Sequence, residues 1–93
     1  MSDDPVDDVQ EFHKSNDMAL VTFLKCKGYT VQGVKLEGGT CYWFFRVSDG
    51  LIDAIDDFSS GDALVEPKEY NRQFSQTKRD MFDLQHARSK HRH

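Results

Sequence analysis

The sequence predicts the α+β class: a small antiparallel β-hairpin sheet packed by three helices, in the order α-β-β-α-α. Three observations point there. Residues 40–47, Thr-Cys-Tyr-Trp-Phe-Phe-Arg-Val, are dominated by β-branched and aromatic side chains, which pack well on a pleated surface. Gly38-Gly39 stands directly before them and suits the positive φ angles of a tight hairpin turn. Tyr70, Phe74, Thr77, Met81 and Leu84 then recur at helical spacing, a single apolar stripe. Strands followed by helices that cover them define the class.

The 93 residues are enough for one modest core without metal or disulfide staples. Residues 1–14 lack periodicity, carry Pro5 and a scatter of Asp, and read as a flexible acidic leader in which only Phe12 is suited to dock. Residues 15–86 form the single domain, and 87–93 a basic disordered tail.

The elements follow in order. Ser15-Asn16-Asp17 offers capping oxygens ahead of Met18–Lys27, with lysines in the last turn and Gly28 beyond, which is helix punctuation; a strand is the alternative, since the run is short and apolar nearly all round. Tyr29 to Glu37 reads as a strand whose apolar alternation slips at Gly33, where a bulge would reset the faces. In the aromatic strand Cys41, Trp43, Phe45 and Val47 point into a core, while Tyr42, Phe44 and Arg46 point the other way. What covers that second face decides what the protein does.

A second helix is expected over 51–59, with Leu51, Ile52, Ile55 and Phe58 inward, Asp53, Asp56 and Asp57 outward, and Asp49 as its cap. Pro67 fits the first turn of the third helix, because its missing N–H is not needed there. The stripe from Tyr70 to Leu84 is expected to face the sheet, leaving Lys68, Arg72, Arg79 and His86 outside. Two strands alone are marginal, so Leu64-Val65 or a second copy of the chain is expected to complete the sheet. The predicted core is Leu20, Phe23, Leu24, Val31, Trp43, Phe45, Ile55, Phe58, Tyr70, Phe74 and Met81.

The chain resembles the phage and prokaryotic family named domain of unknown function 5659. The likeness spans residues 17–84. It rests on the apolar helix ending in Lys27-Gly28-Tyr29, the strand Tyr42-Trp43-Phe44-Phe45, and Leu64-Val65-Glu66-Pro67-Lys68-Glu69-Tyr70. Phe74-Ser75-Gln76-Thr77-Lys78 adds to it. The resemblance implies a viral or mobile-element origin and the same element order, and no activity.

Charge narrows the functional classes. The net charge is −4, which argues against an indiscriminate binder of nucleic acid or anionic membrane. Residues 1–66 hold 5 Lys and Arg against 13 Asp and Glu, whereas residues 67–93 hold 7 against 3. The two ends are electrostatically opposite. Cys26 and Cys41 lack paired C-x-x-C spacing and read as free, buried thiols of a reducing compartment, with a disulfide as the minority alternative. Without a signal peptide or an apolar run of about 20 residues, the expected location is the cytoplasm of a host cell.

No catalytic residue, metal ligand or cofactor is expected. The chain lacks nucleophile-elbow, phosphate-loop and zincin motifs. Cys41 with His13 or His86 is the sole nucleophilic pairing to weigh, and a cysteine in an aromatic strand is normally packing. His86, His91 and His93 would chelate only adventitiously, and Asp53, Asp56 and Asp57 read as a solvated helix face. The expectation is a small, non-enzymatic, phage-encoded binding module that acts through contacts with a host or viral protein, with a homodimer as a further assembly. The alternative is a single-stranded nucleic-acid binder using the aromatic strand and the basic third helix. The candidate binding residues are Tyr42, Phe44, Arg46, Lys68, Arg72 and Arg79, and no membrane is among the expected partners.

Overall fold

The computed structural model describes residues 11–90, with side chains to residue 87. Its elements are β1 (Phe12–Ser15), α1 (Met18–Cys26), β2 (Val31–Glu37), β3 (Thr40–Arg46), α2 (Asp49–Ser60) and α3 (Pro67–Lys90). The strands form one antiparallel sheet in the order β1-β3-β2. The α+β class stands, with one strand more than the sequence suggested.

That strand is β1. Phe12–Ser15 falls largely inside the expected leader, and pairs with β3 from Phe12 opposite Arg46 to Ser15 opposite Trp43. The third strand is therefore neither Leu64-Val65, which lies in a loop, nor a second copy of the chain. Of the expected basic tail, residues 87–90 belong to α3. Pro5 and the Asp-rich stretch before Glu11 lie outside the described residues, as do His91 and His93.

The β2–β3 hairpin follows its local chemistry. Gly38 and Gly39 both hold positive φ, 56° and 85°, which two-residue turns with the right twist require. The register slips between Val31 and Gly33, so Val31 and Val34 both face the partners of the core, opposite Phe45 and Trp43. β3 buries Cys41, Trp43 and Phe45, while its even positions do not enter the core cluster. Val47, expected beside them, lies past the strand and is half-buried, its N–H donating to the Glu11 carbonyl.

α1 is short and apolar nearly all round because it is the central helix. It packs against α3, α2 and β1, and buries Leu20, Val21, Thr22, Phe23 and Leu24. Asp17 caps it by accepting from the Ala19 and Leu20 N–H groups. α2 starts earlier than expected, with Ser48 rather than Asp49 as cap. Its inner face is Leu51 and Ala54, with Ile55 and Phe58 half-buried. Ile52 is 45% exposed, since it sits about 100° around the helix from Leu51.

α3 carries its expected stripe against α1 more than against the sheet. Thr77, fully buried at the centre, accepts a hydrogen bond from Lys25 Nζ at 2.9 Å and donates to the Gln73 carbonyl at 2.8 Å. Phe74 stacks on Tyr70 with ring centroids 6.1 Å apart, outside the main cluster. All three helices thus gather on the Cys41–Trp43–Phe45 side of the sheet. No described helix is long and apolar enough to cross a membrane.

Candidate binding face of the sheet

Paired residues in an antiparallel sheet share a face. The ladder therefore maps the side that the helices leave bare. From β3 it carries Thr40, Tyr42, Phe44 and Arg46; from β1, Lys14 opposite Phe44 and Phe12 opposite Arg46; from β2, Glu37, Lys35 and Gly33 opposite Thr40, Tyr42 and Phe44. Tyr42 and Phe44 are half-buried by these neighbours, and Phe12 is 46% exposed. Three aromatic rings and three cations, Lys14, Lys35 and Arg46, share the face with one carboxylate, Glu37.

Two positions on it differ. Phe44 stands opposite Gly33, where an added Cβ would meet nothing within 4 Å, so there is open space beside the ring. Over Tyr42, by contrast, sits the Lys14 ammonium, 4.4 Å from the ring centroid, and the same Nζ lies 2.9 Å from Glu37 Oε1. The hydrogen bond to Glu37, reinforced by its charge, holds the Lys14 ammonium above its ordinary range. The same bond holds the Glu37 carboxyl below its own.

The structure divides the residues that the sequence grouped as one candidate site. Tyr42, Phe44 and Arg46 lie on the bare face. Lys68, Arg72 and Arg79 are exposed on α3, which packs on α1 on the other side of the sheet. Arg72 is moreover engaged by Glu69 through two hydrogen bonds, of 2.6 and 3.2 Å. Phe12 had been singled out only as a docking residue of the leader, and Lys14 and Lys35 were missed. Lys35 was legible, since it alternates with Val34 and Leu36; Phe12 and Lys14 needed β1 to be recognised as a strand.

A second concavity, about 450 Å³, lies on the helix side between α1, β2 and α3, lined by Lys25, Tyr29, Val34, Trp43, Gln73 and Asp80. Lys25 is already bonded to Thr77 there. Among the described residues no group of three His, Cys, Asp or Glu side chains is placed to hold a metal ion.

Neither thiol is activated. Burial pushes Cys41 up from its ordinary value, and burial followed by the charge of Glu69 pushes up Cys26. Iodoacetamide at neutral pH should modify both slowly in the native protein, the half-buried Cys26 first and Cys41 only as the domain opens. Peptide mass mapping over time checks this; alkylation of Cys41 as fast as in denaturant would contradict its burial.

The fold and the face define a one-sided sheet domain with an aromatic, cationic surface. No family model, curated protein or solved structure matches the chain.

Proposed function

We propose that the protein is a non-enzymatic binding module that takes single-stranded nucleic acid on the bare face of its sheet. The observation that carries this reading is the juxtaposition of Phe12, Tyr42 and Phe44 with Lys14, Lys35 and Arg46 where no described helix packs. Unpaired bases gain about 1–3 kcal/mol each by stacking on an aromatic ring, and neighbouring cations neutralise the phosphates between them. A chain of net charge −4 that gathers a cation surplus on this aromatic face is arranged for an anionic polymer held locally. The duplex is disfavoured, because its bases are already stacked on each other.

A protein partner is the second reading. The opposite charges of the two ends of the chain and the exposure of Leu64 (82%) and Phe82 (54%) support it. In that case the chain acts as a small phage-encoded modulator of a host or viral protein. Fluorescence anisotropy with labelled oligothymidine and oligouridine separates the two. Binding at low ionic strength is expected, weakening with salt with a log–log slope of about −2 for three phosphate contacts. No binding at low salt removes the nucleic-acid reading and leaves the protein one.

A further inference from the structure

Lys14 and Glu37 belong to the two outer strands, with β3 between them. Their bridge therefore crosses the whole sheet on its bare side, and it does so over Tyr42. The ammonium occupies the ring face on which a base would stack, whereas beside Phe44 the space is open.

We infer that Tyr42 is a second base-stacking position, closed in the free protein by the Lys14–Glu37 bridge, and that Lys14 passes from Glu37 to a backbone phosphate when a strand is bound. This rests on the nucleic-acid reading of the face. The chemistry of the exchange is matched: a charge-assisted N–H···O bond to a carboxylate oxygen is replaced by one to a phosphate oxygen. Glu37 stands in for the phosphate until one arrives. The exchange is also easy, because both side chains are about half exposed, 45% and 43%, and exposed ion pairs are weak and screened by salt. A bridge with a purely structural role would join β1 to β2, and its loss would change stability but not affinity. The closed position would also make binding selective, since a lone small anion draws Lys14 away but gains nothing from Tyr42.

The test compares oligothymidine affinity, at low salt, of the wild type, Glu37→Gln, Tyr42→Leu and the double variant. Tyr42→Leu keeps the apolar bulk of a strand residue, and circular dichroism confirms folding of each. Glu37→Gln is expected to bind about two- to fivefold more tightly, the range that one surface ion pair spans. That gain should disappear in the Tyr42→Leu background, because the site it opens is no longer aromatic. An equal gain in both backgrounds would reduce Glu37 to a simple repulsive charge and overturn the inference. So would no gain at all in a wild type that binds. If neither the wild type nor any variant binds oligonucleotide, it is the reading of the whole face that falls, and the closed position with it.

Discussion

Trp43→Ala is expected to lower the unfolding midpoint steeply, while Phe44→Ala, one residue on, is expected to lower it only slightly. Trp43 is 2% exposed and sits in the cluster with Phe23, Leu24, Phe45 and Leu51, beneath the central helix. Removing a buried Trp side chain costs about 3–5 kcal/mol, because the cavity does not close. A domain of this length has about 5–10 kcal/mol in total, so the loss consumes from about a third to all of it. Phe44 points away from that cluster and rests on strand neighbours, where its removal costs about 1 kcal/mol or less. Urea titration followed by far-ultraviolet circular dichroism checks both, and avoids relying on the fluorescence of the single Trp. A Trp43→Ala midpoint like that of the wild type would mean that the two faces of β3 have been exchanged.

Reversing two cations on the bare face should abolish oligonucleotide binding, whereas reversing two on α3 should leave it nearly intact. Lys35→Glu with Arg46→Glu and Arg72→Glu with Arg79→Glu change the net charge equally, from −4 to −8. Any effect of overall charge is therefore the same in both, and only position differs. The first pair adjoins the aromatic rings; the second is separated from them by the sheet and α1, and Arg72 is already held by Glu69. The face variant is expected to lose on the order of a hundredfold in affinity at low salt, with a shallower salt slope, and the α3 variant less than about threefold. Anisotropy titrations at two or three salt concentrations measure both. Equal losses would return α3 to the binding site and remove the reason for placing the strand on the sheet.

Much of the architecture was legible because its causes are local. Gly38-Gly39 can adopt the turn that few other pairs can, Asp17 caps the helix that follows it, and the slip of alternation at Gly33 is the bulge itself. Where the reading failed, a non-local partner made the difference. Ile52, expected inward, is exposed, and Ala54 is buried instead, because the packing of α1 on α2 decides which side of α2 is inner. The stripe of α3 was found correctly and assigned to the sheet, since periodicity identifies an apolar face and not what it meets.

The candidate site was half legible for the same reason. Tyr42, Phe44 and Arg46 follow from alternation along β3. Lys14 and Phe12 follow from nothing in their own neighbourhood. Phe-His-Lys-Ser is a strand because β3 supplies the other half of its hydrogen-bond ladder.

By itself, the order of residues determined the three helices, the β2–β3 hairpin and most of their apolar positions, because rotation per residue and turn chemistry act over a few positions. Only the tertiary structure decided that every described helix lies on one side of the sheet, that Lys14 reaches Glu37 across Tyr42, and that the cations of α3 stand apart from the aromatic rings. Those outcomes depend on which surfaces meet, a competition among distant contacts for the same buried area, and no short stretch of chain contains it.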